Sequence, residues 1–337
     1  MVFEFFFVPL HWNQKKLKIM ALETYQKINT AYKRYIFDAS KCPNKAWAKF
    51  KNKIILGEFS FKEAGYLFNC PWEATSKIDG TNSKIAFFPS DGHIEVGGKT
   101  EKAQSQHGQF EMLEKIGENI KPQLCAMFPK ESARFALVKG DNNKVQYYDI
   151  YPLLKEIDEK NDVATMEIKF DKKEILSSGM CAVQLEEVPI YIYGEYFGSG
   201  IQKCGSRYIQ NGNDFLVFDI KQQGWWTPKD VRDSICKGLG LETVPFLGVM
   251  TLKEIEDKVR AGFTTQFDRA ADPTMLEEGI VARPTIPLCD GSGNRIIVKV
   301  KYCDYIEYDA VRKEFSDAEF EEFDKWYHEN YEDIKIG

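Results

Sequence analysis

The sequence predicts an α+β protein. Apolar runs with strand character recur along the chain, among them Ser83 to Phe88, Val188 to Tyr193 and Asp214 to Ile220. Two capping boxes, Thr251 with Glu254 and Ser316 with Glu319, mark helices that follow those strands. With 337 residues, 43% of them apolar and 14% aromatic, the chain has the material for a sizeable core.

Taken in order, Met1 to Trp12 is aromatic and apolar but carries Glu4, lacks a basic start and has no small-residue cleavage site, which argues against a secretory signal. It is also too short to span a membrane, and residues 1–20 are expected to be an extension. Ala21 to Phe37 places Tyr25, Ile28, Tyr32 and Ile36 at spacings of three and four, which predicts an amphipathic helix or one broken near Asn29. Phe59 to Leu67 reads as a short helix leading into a strand at Trp72 to Ser76. After Ser83 to Phe88, Pro89-Ser90-Asp91-Gly92 predicts a hairpin turn into His93 to Val96. Gln109 to Phe128 is a helix by its spacing of Phe110, Leu113, Ile116, Ile120 and Leu124. Pro129 to Glu187 holds strand candidates at Phe135–Val138, Val145–Ile150 and Ala164–Phe170 and reads as an inserted segment. Thr227-Pro228 predicts a capped helix start with Gly238 or Gly240 at its end. Glu277 to Val281 and Arg295 to Tyr302 are further strands, and Ser316 to Tyr331 is a C-terminal helix with Phe320, Phe323, Trp326 and Tyr327 as its apolar stripe.

The net charge is −6, so any binding of phosphate needs basic residues gathered in a groove against an acidic background. Eight cysteines stand singly with four histidines and no Cys-x-x-Cys pair, which indicates neither a zinc site nor a disulfide framework and fits a reducing, cytoplasmic setting.

The chemistry concentrates in a few short stretches. Ser76-Lys77-Ile78-Asp79-Gly80-Thr81-Asn82 sets a lysine at the bend between two strands, where an amine can face a ligand; alone, Lys-x-Asp-Gly is a chance-level tetrapeptide. In Val298-Lys299-Val300-Lys301 the period of two puts both lysines on one face, either a solvated outer face or a phosphate clamp. Glu278 before Gly279 is either a metal-binding carboxylate or an acid in a loop. Glu195 is a ribose acceptor or a turn residue, and Phe218 a stacking face for a base or plain core.

The order of these stretches resembles the motif series of the covalent nucleotidyltransferases, the ATP-dependent polynucleotide ligases and mRNA capping enzymes. The chain is most similar to the RNA ligase 2-like group of bacteriophages through Trp72 to Asn82, Gly97 to Gln104, Tyr193 to Gly205, Asp214 to Ile220, Glu278 to Pro284 and the lead-in Tyr25 to Arg34. It departs at Thr75, where related ligases often have a basic residue, and at Lys99, where arginine is common. About thirty-five residues follow Lys301, fewer than the helical C-terminal domain or oligonucleotide-binding barrel of better-known ligases.

The resemblance implies an α+β nucleotidyltransferase (ATP-grasp-like ligase adenylation) domain of two antiparallel sheets flanked by helices, over residues 21–305, with the insertion at about 129–187 and a helical tail at 306–337. It implies that Lys77 attacks the α-phosphorus of ATP and carries AMP, an attack that needs a neutral amine, which the charges of Lys299 and Lys301 favour. It implies that Ser76, Ile78, Lys99, Glu195, Phe218, Lys299 and Lys301 bind the nucleotide and that Glu278 holds Mg²⁺ or Mn²⁺. Asp79, Asn82, Lys102 and Lys203 would position the nucleic-acid end. The expected partners are RNA ends or a nicked duplex and no membrane, in RNA repair within a cytoplasm, that of the host for a viral protein. A DNA nick-sealing ligase and a non-catalytic nucleotide- or end-binding module are the competing readings, and a capping guanylyltransferase a more distant one.

Overall fold

The computed structural model describes residues 22–60, 62–100, 103–105, 107–139, 153–158, 163–167 and 183–331. The strands are β1 (Asn29–Thr30), β2 (Tyr32–Arg34), β3 (Ile54–Phe59), β4 (Trp72–Ser76), β5 (Thr81–Phe88), β6 (His93–Gly98), β7 (Phe135–Lys139), β8 (Leu153–Asp158), β9 (Val163–Glu167), β10 (Val183–Glu187), β11 (Ile190–Gly198), β12 (Asn213–Gln222), β13 (Trp225–Trp226), β14 (Phe246–Met250), β15 (Gly279–Pro284) and β16 (Val298–Lys301). The α-helices are α1 (Lys62–Tyr66), α2 (Gln109–Met127), α3 (Gly205–Tyr208), α4 (Lys229–Leu239), α5 (Leu252–Ala261), α6 (Tyr302–Arg312) and α7 (Asp317–Tyr331). The α+β class expected from the sequence is the class observed. No helix among the described residues is long and apolar enough to cross a membrane.

The chain divides into two units: unit I from Met1–Tyr25, Thr81–Tyr196 and Phe215–Thr243, and unit II from Gln26–Gly80, Phe197–Asp214 and Val244–Gly337. In unit II a five-stranded sheet runs β1-β16-β15-β4-β14, antiparallel except for the short parallel pairing of β1 with β16. Alternation decides its faces. Trp72, Ala74, Ile280, Ala282, Val298 and Val300 point into a core closed by Leu252, Ile255 and Val259 of α5 and by Tyr305 and Tyr308 of α6. A second core of the same unit gathers Tyr35, Phe37, Trp47, Phe50, Ile55, Phe323 and Tyr327, with the Phe50 and Phe323 rings stacked at 4.4 Å.

The helix expected at Ala21 to Phe37 is not formed. Asn29–Thr30 and Tyr32–Arg34 are strands instead. The Ala31 amide donates to the Lys299 carbonyl at 3.3 Å, and Tyr32 pairs with Phe59 of β3. Strand edges supplied from elsewhere in the chain outweigh a local spacing that fits a helix, and aromatic residues suit a half-buried strand.

Unit I holds the other five-stranded sheet, β13-β12-β11-β5-β6. One face, with Ile85, Phe87, Ile190, Ile192, Phe215 and Val217, packs on Leu113, Ile120 and Leu124 of α2 and Cys236 and Leu239 of α4. Helix α4 begins one residue later than Thr227 would have it, with Pro228 at the N-cap, because the Thr227 hydroxyl accepts from the Gln222 side chain at 3.2 Å. Gly240, at φ 70°, closes it. The pairs β7–β10 and β8–β9 form two-stranded ribbons. Residues 1–20, Val145–Ile150 and most of the insertion lie outside the described residues.

Candidate active site

Strand β4 is hydrogen-bonded on both sides, to β15 and to β14, which fixes the backbone leading to Lys77. The Ser76 amide donates to the Pro245 carbonyl at 2.9 Å and the Lys77 amide to the Gly279 carbonyl at 3.0 Å. Ile78 is buried and anchors the bend. The Asp79 amide donates to the Tyr208 hydroxyl at 3.3 Å. A lysine so held at a strand end has little backbone freedom, and its side chain has a relative exposure of 20%.

Opposite it stands Glu278. Its carboxylate takes the Lys77 ammonium on Oε2 and the Lys301 ammonium on Oε1, the latter at 2.6 Å. Two lysines remote in sequence thus share one carboxylate. Burial works against the Lys301 charge, but the Glu278 hydrogen bond and carboxylate outweigh it and hold Lys301 above the usual lysine range. Asp79 is pushed up, first by burial and then by the negative charge of Glu278.

The glycine after Glu278 is required by space. At Gly279, with φ 157°, a Cβ would lie 2.0 Å from the Val300 carbonyl oxygen, so only glycine lets β15 approach β16 closely enough for Glu278 to reach both lysines. Lys299 lies opposite Val281, and Lys301 opposite Gly279, in the β15–β16 register. The burial pattern of β16 alternates as the period of two predicts, with both valines inside and both lysines half-buried on the other face.

Next to Lys77 and Glu278 in the chain stand two buried polar residues. Ser76 and Glu277 are each 2% exposed, and the Glu277 carboxylate accepts from the Gln266 amide at 3.4 Å. Burial pushes the Glu277 carboxyl above the ordinary carboxylate range.

Unit I carries the remaining candidates. Glu195 lies directly across from Asn82 in the β11–β5 register and is the one half-buried residue of an otherwise buried strand. Gly194 before it is again a matter of space, since a Cβ there would meet the Phe215 ring at 2.4 Å. Asn82 Oδ1 and the Tyr193 hydroxyl are buried and without a hydrogen-bond partner among the described residues. Phe218 is half-buried, with Tyr25 edge-on to its ring at 5.1 Å. Tyr25 in turn donates to Asp219 at 2.9 Å and meets Tyr193 and Trp226 edge-on. Lys99 is exposed in the bend after β6, and Lys203 is exposed after β11. Lys102 lies outside the described residues.

The family model described as RNA ligase matches residues 70–301, well over half of the chain. The chain belongs to the RNA ligase family. No curated protein matches it. It is similar to the solved structure of a lysine-to-alanine variant of the Naegleria gruberi RNA ligase with ATP and Mn, at 15% identity and a TM-score of 0.41, over 73% of this chain and 54% of that one. The same enzyme as a lysine-to-methionine variant with AMP and Mn gives 15% identity and 0.41 over 72% and 53%. With PPi it gives 16% and 0.40 over 72% and 52%. The chain spans about half the length of these proteins.

Several residues around these candidates, in one unit or the other, carried no signal in the sequence. Arg232 is 1% exposed and donates to the Phe218 carbonyl at 2.9 Å while its fork pairs with Asp233; on paper it is one more charge on a polar helix. Tyr208 reaches Asp79 from a four-residue helix. Glu277 is buried, which an acid in front of an apolar strand does not announce.

Proposed function

We propose that the protein is an ATP- and Mg²⁺-dependent RNA ligase working through a lysyl-AMP intermediate. The observation that carries this is the convergence of Lys77, Glu278 and Lys301, a nucleophile, an acid and a phosphate-neutralising cation, in a chain of the RNA ligase family. Lys77 Nζ attacks the α-phosphorus of ATP. The N–P bond forms, the bond from the α-phosphorus to the bridging oxygen breaks, and pyrophosphate leaves; the amine gives up its proton before it attacks. Lys301 and Lys299 neutralise charge on the α-phosphate. AMP then passes to a 5′-phosphate end, and a 3′-hydroxyl displaces it to seal the strand, as repair of RNA requires.

The residues fit Mg²⁺. Among the described residues no three His, Cys, Asp or Glu side chains form a metal cage, but Mg²⁺ binds through one or two carboxylates plus water and substrate phosphates. Glu278, with Asp79 close enough to feel its charge, offers such a set. When bound, the ion supplies positive charge beside the phosphates. In the same reading Glu195 accepts from the ribose, Phe218 stacks on adenine, Ser76 and Ile78 line the nucleotide, Lys99 meets phosphate, and Asn82, Lys102 and Lys203 join Asp79 in holding the end.

Incubation with α-labelled ATP and Mg²⁺ tests the reading. Label should survive denaturation in the wild type and be absent in Lys77→Ala; an unlabelled wild type, or equal labelling of the variant, overturns it. Labelling from GTP in place of ATP would point to capping. Sealing restricted to DNA ends would reject RNA as the substrate.

A further inference from the structure

Residues 22–25 lie ahead of β1 and belong to unit I, where three side chains of the sheet hold them. Lys84, 1% exposed, donates to the Leu22 carbonyl at 3.0 Å and to the Glu23 carbonyl at 2.7 Å. The Glu23 amide donates to the Tyr191 hydroxyl at 3.0 Å, and the Glu23 carboxylate takes the Lys221 ammonium at 2.5 and 2.7 Å. Lifting the segment would strip two acceptors from a buried charge, which is costly. The face it covers is the one turned away from the helices. Ile85, Ile190 and Ile192 pack toward α2 and α4, so alternation puts Lys84, Tyr191, Tyr193 and Glu195 on the other face.

The segment ends in Tyr25, 6% exposed. Its hydroxyl donates to Asp219 at 2.9 Å, and its ring meets Phe218 at 5.1 Å, Tyr193 at 5.0 Å and Trp226 at 5.6 Å, edge-on in each case. From Phe215 to Ile220 only Phe218 is not fully buried, so part of its ring stays open while Tyr25 holds the rest. Edge-on aromatic contacts are directional, and a ring held this way cannot turn without breaking them. We propose that residues 22–25 are a brace and that Tyr25 is a positioning residue, setting the plane of Phe218 for stacking on the nucleobase. The proposal rests on the reading above in which Phe218 stacks on adenine. A tilted ring loses its overlap with the base, whereas the polyphosphate keeps its contacts, so the brace acts on the base alone.

The test measures, by calorimetry on the full chain with Mg²⁺, the binding of two probes. The first is α,β-methylene-ATP, which carries the base but cannot transfer AMP; the second is inorganic tripolyphosphate, which carries only the tail. Tyr25→Leu removes the ring and should weaken the ATP analogue by about fivefold to tenfold, with tripolyphosphate bound as by the wild type. Tyr25→Phe keeps the ring and should bring the analogue back to within about threefold. Glu23→Gln frees the segment from Lys221 and should weaken the analogue alone, which preserves the test where thermal melting shows Tyr25→Leu to be unfolded. Phe218→Leu combined with Tyr25→Leu should bind no more weakly than Phe218→Leu, since both act through one ring. Unchanged analogue affinity in folded Tyr25→Leu, or in Glu23→Gln where Tyr25→Leu does not fold, overturns the brace. So do equal losses of both probes and additive losses in the double variant, and each of these leaves Phe218 its role. A Phe218→Leu chain that binds the analogue as the wild type does overturns the stacking reading itself, and the brace with it.

Discussion

At Gly279 a methyl group would lie 2.0 Å from the Val300 carbonyl oxygen and 2.9 Å from the Lys301 Cα. Both are backbone atoms of a paired strand and cannot turn aside. Gly279→Ala should therefore cost about 2–4 kcal/mol, from overpacking and a strained φ together, visible as a lower urea midpoint; an unchanged midpoint would show that β16 can yield. Glu278→Gln is the complementary case. The pair it breaks is partly solvated, at 17% exposure for Glu278, so stability should change by no more than about 1 kcal/mol while lysyl-AMP labelling falls at least tenfold. A variant that labels normally would remove Glu278 from the chemistry. At this scale the sequence was readable wherever a residue type has few uses, as with glycine after an acid or lysines two apart on a strand. Glu277 was unreadable because its distinction is burial, which an acid beside an apolar run does not announce.

Elements were readable where local chemistry decides them. The Thr251–Glu254 box forms with both reciprocal bonds present, and the Ser316–Glu319 box does the same at the start of α7. Ala21 to Phe37 was misread because its partners, β16 and β3, are supplied by other parts of the chain. Helix α4 owes its seat to Arg232, whose guanidinium bonds the Phe218 carbonyl and Asp233. Arg232→Met should cost about 1–3 kcal/mol, since the Phe218 carbonyl loses its buried donor while the part-exposed Asp233 keeps Lys229, and should loosen Phe218. A melting temperature equal to the wild type's would contradict that. Helix α7 is seated by His328, which pairs with Glu58 and meets the Asp324 carbonyl. Burial alone would depress His328, but these two partners outweigh it and raise it; burial alone would raise Glu58, but His328 and Lys33 outweigh it and lower it. A raised histidine stabilises fully below its unfolded value of about 6.5 and loses that contribution as pH climbs through its folded value. A lowered carboxylate stabilises above about 4.3 and loses its contribution as pH falls through its folded value. The pair is thus strongest between about pH 4.3 and 6.5, and His328→Gln should flatten the fall in urea midpoint above that window; an equally steep fall in the variant would assign the dependence to other groups.

For the whole molecule the decisive property is how far apart in sequence the paired strands lie. Strand β4 has β14 and β15 as its neighbours, and β15 is completed by β16, so the sheet that carries Lys77 cannot close until nearly the whole chain is available. The last stretch also fills both cores of unit II. Ile296, Val298, Val300, Tyr305 and Tyr308 belong to one, and Phe323 and Tyr327 to the other. Each such side chain contributes about 1.5–3 kcal/mol on burial, so together they contribute about 10–20 kcal/mol, as large as the ~5–15 kcal/mol by which folded domains are stable. A chain ended at Arg295 should consequently lose more than Lys299 and Lys301. Unit II should fail to fold, with near-ultraviolet dichroism collapsed and protease cutting throughout residues 26–80, whereas Lys299→Ala with Lys301→Ala in the full chain should keep the native spectrum and lose only labelling. A truncated chain with native dichroism and slow proteolysis would mean that the lysines and the fold are separable, and that the C-terminal strand and helices serve the chemistry alone.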